Sequence, residues 1–117
     1  DEQTGRAWRA ADIFPGSEGS SPGNKIMVGL SGVLYFDAFT NNTGRELWAH
    51  DPADGSTWVV LDIEQDDVNY TTTDPSSDPA RSFWALHNGC LFFDAYQNDT
   101  GREMWKMCLE HTITYGL

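Results

Sequence analysis

The chain has 117 residues, room for one real hydrophobic core but not for two independent ones. Seven Lys and Arg stand against 18 Asp and Glu, a net charge of −11. Such a field repels nucleic acid and anionic membranes and argues against both as partners.

Plentiful aromatics, with Gly and Pro at turns throughout and no long 3.6-residue apolar period, predict an all-β fold. No apolar run approaches membrane-spanning length. The chain opens at Asp1 with neither Met nor a basic-then-apolar leader, as expected of a mature, processed chain or a fragment. In chain order, residues 1–13 read as an N-terminal half-repeat, 14–63 as a first repeat, and 64–117 as a second repeat with a C-terminal strand. All three belong to one domain.

Within residues 1–13, Thr4 to Trp8 (Thr-Gly-Arg-Ala-Trp) looks like the second half of a hairpin whose first strand is missing. Asp12 to Gly16 begins the next unit, and Ser17 to Asn24 is a Gly/Ser/Pro loop. Lys25 to Leu30 reads as a short strand and Ser31-Gly32 as a turn. The hairpin that follows, Leu34 to Trp48, organises the rest of the chain, because Leu91 to Trp105 repeats it without a gap at an offset of 57 residues. Self-similarity on this scale marks stacked supersecondary units.

Residues 33–38 and 46–51 are apolar, aromatic and β-branched runs around an Asn/Asn/Thr/Gly cluster, hence strand, turn, strand. Setting Ala38 opposite Glu46 puts Phe36 opposite Trp48 and Val33 opposite Asp51. Alternation then gives one face Leu34, Phe36, Ala38 and Trp48, and the other Val33, Tyr35, Asp37, Leu47 and Ala49. Both faces are largely apolar, so the hairpin expects cover on each side. The repeat core is expected at Leu34, Phe36 and Trp48, and at their equivalents Leu91, Phe93 and Trp105. Asp37 and Arg45 are diagonal neighbours, as are Asp94 and Arg102, and read as structural ion pairs rather than catalytic carboxylates.

Asp51 to Gly55 is turn chemistry, with Asp before Pro and Asp before Gly. Asp51 and Asp54 are the acidic pair that Ca2+ would use, but the spacing lacks the full ligand set of a calcium loop, so the turn is preferred. Thr57 to Ile63 is the returning strand. Glu64 to Pro79 is the longest polar stretch, a surface loop: Ile63 to Pro79 takes 16 steps where Ile13 to Pro22 takes nine. Ser82 to Leu86 repeats the short strand and Asn88-Gly89 the turn. The tail from His111 to Tyr115 alternates as a strand.

In the register carried over from the first copy, Cys90 and Cys108 take the places of Val33 and Asp51 and face each other across two strands. Directly opposed residues lie within disulfide reach, so a cross-strand disulfide is expected, and with it an oxidising, extracellular setting. Two buried free thiols are the plainer alternative. Three Asn-x-Thr sequons, at Asn41, Asn69 and Asn98, are N-glycosylation candidates. Asn41 and Asn98 share the same loop tip in the two copies. Thr71, Thr72 and Thr73 are secondary O-linked candidates beside prolines.

The pieces Asp12 to Gly16, Ser20 to Pro22, Gly32 to Ala38, Gly44 to Asp51 and Gly55 to Ile63 together resemble the ELWxxDGT repeat family over nearly the whole chain. The resemblance implies a β-sheet repeat of large secreted or surface proteins, arranged in propeller-like arrays, with no catalytic residues. This chain departs from it with only about two repeats, the cysteines of the second, and the polar stretch Glu64 to Asp78.

Two units with apolar front and back faces fall short of the three or more that a stable stack normally needs. Either the sheets fold onto each other, or neighbouring copies supply the missing contacts by β-strand addition, which in non-closing form builds a filament. Trp8, Ile113 and Tyr115 are the expected assembly residues. His50, His87 and His111 are scattered, with no nucleophile–base or paired-ligand motif, so no enzyme is expected and no cofactor beyond covalent glycans.

The expected function is a non-catalytic structural subunit of an extracellular, glycosylated filament of identical chains. The alternative is a secreted carbohydrate-binding or adhesion module, monomeric or a fragment of a larger propeller. It would use Trp58, Tyr70 and Trp84 as platforms, although core packing is the preferred reading of Trp58 and Trp84.

Overall fold

The computed structural model describes residues 5–16, 18–61, 76–97 and 100–108. It is all-β, with no helix among the described residues and two antiparallel sheets. The first sheet has the order β1 (Met27–Leu30), β2 (Val33–Thr40), β3 (Gly44–Asp51), β4 (Ser56–Leu61). The second has β5 (Trp84–His87), β6 (Cys90–Gln97), β7 (Gly101–Cys108). Among the described residues no helix is long and apolar enough to cross a membrane.

The first sheet is a meander, each strand returning beside the last. The β1–β2 turn needs two residues in the left-handed region, supplied by Ser31 at φ 53° and Gly32 at φ 85°. Asn88 at 52° and Gly89 at 80° do the same between β5 and β6. Two consecutive positive φ values are the signature of a type I′ hairpin, whose twist matches that of the strands it joins.

The β2–β3 register sets Ala38 opposite Glu46 and Phe36 opposite Trp48, as the sequence predicts. The β6–β7 register repeats it, with Ala95 opposite Glu103 and Phe93 opposite Trp105. Where β3 meets β4 the pairing shifts between Leu47 and Trp48.

One hydrophobic cluster joins the sheets, and it takes opposite faces from the two repeats. From the first it draws Ile26, Tyr35, Leu47 and Ala49, with Val28, Leu30, Val33 and Val60 packed around them. From the second it draws Leu91, Phe93 and Ala95, with Trp105 and Met107. Pairing places the first set on the Tyr35 side of its sheet. The second set stands on the side equivalent to Leu34, Phe36 and Trp48. The sheets therefore stack front to back.

This corrects the expected core in part. Leu91 and Phe93 are buried, and Trp105 packs against them. Leu34, by contrast, is 38% exposed, and neither Phe36 nor Trp48 belongs to the shared cluster. The reason is physical: when like units stack by repetition, each contributes the opposite face to a given contact, so the same residue set cannot enter that contact from both repeats. Phe36 is nonetheless buried on its own side.

Residues 5–8, expected as half of a hairpin, carry no strand, and Trp8 is 57% exposed. Trp58 and Trp84 do not pack as fully as core residues. Each is 40% exposed, because β4 and β5 are edge strands with a neighbour on one side only.

Candidate functional site

Each repeat is built around the same buried carboxylate. In the first, Asp37 Oδ1 accepts the backbone N–H groups of Lys25 at 2.9 Å and Ile26 at 3.0 Å. Its Oδ2 accepts Arg45 Nη1 at 2.6 Å. Arg45 also donates to the carbonyls of Ser21 and Ser20, at 3.3 and 3.5 Å. The Ser20–Gly23 segment is pinned to β2 by Phe39 N–H to Ser20 O at 2.9 Å and by Gly23 N–H to Asp37 O at 2.8 Å.

The second repeat copies this contact for contact. Asp94 Oδ1 accepts Ser82 and Phe83 N–H, and its Oδ2 accepts Arg102 Nη1 at 2.8 Å. Arg102 reaches the carbonyls of Asp78 and Ser77, and the segment is pinned by Tyr96 N–H to Ser77 O and by Ala80 N–H to Asp94 O. Burial works against the Asp94 charge, but the Ser82 and Phe83 N–H groups and the Arg102 guanidinium outweigh it and hold its carboxyl below the usual aspartate range. The expected Asp37–Arg45 and Asp94–Arg102 pairs are thus formed, and their work is to fix a loop on a sheet.

That loop also clasps one repeat to the next. The Arg45 N–H donates to Ser76 Oγ at 2.6 Å. Ser77 N–H is shared between the Arg45 carbonyl and Glu46 Oε2, both at 3.1 Å, and Asp78 N–H also reaches the Arg45 carbonyl at 3.1 Å. The Ser77 hydroxyl donates to Glu46 Oε1. Glu46 and Ser77 are both fully buried. Residues 76–78 therefore run along β3 of the first repeat while 77–80 hold β6 and β7 of the second. Sequence reasoning missed Glu46 and Ser77; the signal available was a Glu and a Ser recurring at the 57-residue offset, as Glu103 and Ser20.

The two ends of this device differ. At the second repeat, Glu103 is exposed, and the described sheet ends at β7, where β3 has β4 beside it. The face there presents Phe83 at 44%, Tyr96 at 38% and Met104 at 65% exposure, with Lys106 Nζ 5.9 Å from the centroid of Phe92. At the first repeat, Leu34 and Met27 are exposed on the opposite face. There Trp8 lines a shallow pocket with His50 and Pro52, and Ile13 and Phe14 line another with Trp48. The Trp48 Nε1 is buried with no hydrogen-bond partner among the described residues.

Cys90 and Cys108 form the expected disulfide, across a directly opposed pair with Cα atoms 4.2 Å apart. Asn41 lies exposed in the β2–β3 turn, and the hydroxyl of its sequon residue Thr43 bonds Thr40 Oγ1 and the Gly44 carbonyl. Asn69, Asn98, Tyr70, Thr71, Thr72, Thr73, Ile113 and Tyr115 lie outside the described residues.

Asp51 Oδ1 accepts Ala53 N–H, and Asp54 Oδ1 accepts both the N–H and the hydroxyl of Ser56. The Ser56 bonds hold the Asp54 carboxyl below its ordinary range. Among the described residues no three or more His, Cys, Asp or Glu gather as metal ligands. His50 Nδ1 lies 2.7 Å from Thr57 Oγ1, a directly opposed cross-strand pair on β3 and β4. The chain matches no protein-family model, no curated protein and no solved structure.

Proposed function

We propose that the chain is a non-catalytic structural subunit of an extracellular, glycosylated filament, built head to tail from identical copies by β-strand addition. The observation that supports it best is the front-to-back stack of the two repeats, which spends one face of each and leaves two unlike, partly apolar faces at the ends. A contact between unlike surfaces that does not close on itself propagates indefinitely. The exposed Trp8 and the edge strands are consistent with this reading, and the disulfide suits an oxidising compartment. The sequence likeness to secreted ELWxxDGT repeats points the same way.

Negative-stain electron microscopy with analytical ultracentrifugation of the native material tests it. Long fibres that form reversibly above a critical concentration are expected; a compact monomer at every concentration rules the filament out. Enzymatic release of N-glycans should lower the mass and convert Asn41 to Asp. A carbohydrate-binding module is the second reading, favoured by the exposure of Trp58 and Trp84. Sugar-dependent quenching of Trp fluorescence in a monomeric sample would select it.

A further inference from the structure

The acceptors and donors of the bonds that hold the second repeat to the first recur at the two ends, where they meet no counterpart among the described residues. Within the chain, Ser77 bonds Glu46 and the Arg45 carbonyl at the start of β3. The residues one repeat further on are Arg102 and Glu103, at the start of β7; one repeat back from Ser77 and Asp78 are Ser20 and Ser21. Ser20 and Ser21 are held on their own sheet by the same Asp–Arg cradle that presents Ser77 and Asp78, with the same backbone pins. Ser21 shares the left-handed backbone of Asp78, at φ 48° against 51°.

We infer that a second copy of this chain docks on the exposed face of the second repeat, with its Ser20–Ser21 segment clasping Arg102 and Glu103 as Ser77–Asp78 clasp Arg45 and Glu46. The inference rests on the head-to-tail filament reading and gives it a joint made by face stacking and a loop clasp in place of strand addition. The faces this brings together are those already in contact inside the molecule. Of the residues that stand for Leu91, Phe93, Ala95 and Trp105, the incoming copy presents Leu34 exposed and Trp48 half-buried, with Met27 exposed beside them, while Phe36 and Ala38 are already covered within the single chain. Phe83, Phe92 and Met104 of the receiving copy stand for Ile26, Tyr35 and Leu47. Four of the clasp's contacts transfer unchanged in kind: Ser20 N–H and hydroxyl to the Glu103 carboxylate, and the Ser20 and Ser21 N–H groups to the Arg102 carbonyl. The hydroxyl of Ser76 does not transfer, because Gly19 stands in its place.

Two departures shape this surface. Lys106 replaces Ala49, and its Nζ stands 5.9 Å from the centroid of the Phe92 ring, a cation–π contact that holds the side chain against the aromatic surface. The Cys90–Cys108 disulfide ties β6 to β7, the strand pair that receives the incoming loop, and so stiffens the receiving surface before docking.

Cross-linking tests the joint. Chains carrying Ser20→Cys are mixed with chains carrying Glu103→Cys and oxidised mildly. The double variant Ser77→Cys/Glu46→Cys, within one chain, calibrates the reach. A covalent dimer from the mixture, absent from either variant alone, is expected. Glu103→Ala, on an exposed site that leaves the fold and its melting unchanged, should raise the critical concentration about tenfold, the loss of a charge-assisted bond. Filaments that form without the cross-link, and that ignore Glu103→Ala, overturn the joint while leaving the polymer reading intact. A solitary chain at all concentrations overturns both.

Discussion

At the scale of single residues, Asp37 and Asp94 carry more of the structure than their number suggests. Each satisfies two backbone donors and one arginine at once, and each is almost wholly removed from water. Removing one partner of such a buried pair leaves an uncompensated charge and costs about 3–5 kcal/mol. The pH dependence follows from Asp94, whose folded carboxyl lies below the ordinary range. A lowered folded value means that its stabilisation is present above the unfolded value of about 3.9 and is lost as pH falls through the folded value. The thermal midpoint should therefore drop on acidification below about pH 4, and Asp94→Asn should flatten that drop, as melting curves at stepped pH would read. Both ion pairs were legible in the sequence because the repeat supplied each twice and a hairpin register places residues eight apart as diagonal neighbours. The N–H groups that share each carboxylate were not legible, because they come from a loop whose path depends on tertiary packing.

At the scale of elements, the register and the disulfide followed from the sequence by redundancy: one copy's turn fixes the pairing of both, and pairing sets Cys90 against Cys108. Which face of each hairpin enters the core did not follow. Alternation separates the two faces but cannot rank them when both are apolar, and the ranking comes only from where the neighbouring sheet sits. The contrast between Leu34 and Leu91 makes this measurable, since they occupy the same place in their repeats yet differ in exposure, 38% against none. Leu91→Ala should cost about 2–5 kcal/mol, the transfer term plus a cavity. Leu34→Ala in the unassembled chain should cost less, about 1–2 kcal/mol, because more than a third of its surface is already exposed. Chemical denaturation of the two variants under identical conditions decides it; equal losses would contradict the front-to-back stack. Trp58 and Trp84 teach a related lesson, because size and apolarity mark a residue for burial, while membership of an edge strand decides how much cover it receives.

At the scale of the whole molecule, the net charge of −11 sets the conditions under which copies can meet. Like-charged chains repel over roughly 30 Å at 0.01 M salt but over only about 8 Å at 0.15 M. Assembly should therefore be weak at low ionic strength and rise on adding a simple salt, as light scattering would follow; assembly that falls monotonically with salt would mean that ion pairing, not apolar stacking, drives it. The all-β class was readable from composition and turn residues. The clasp was not, because the recurrence of a Glu and a Ser marks two positions without saying that they meet across 31 residues of chain. A stack that joins a front to a back has a sense of direction. Copies added by the same rule all point one way, so a growing fibre has a leading tip showing the Leu34 side and a trailing tip showing the Met104 side. The two tips should take up subunits at different speeds, and a chain disabled at one surface alone should halt growth at one tip and leave the other running.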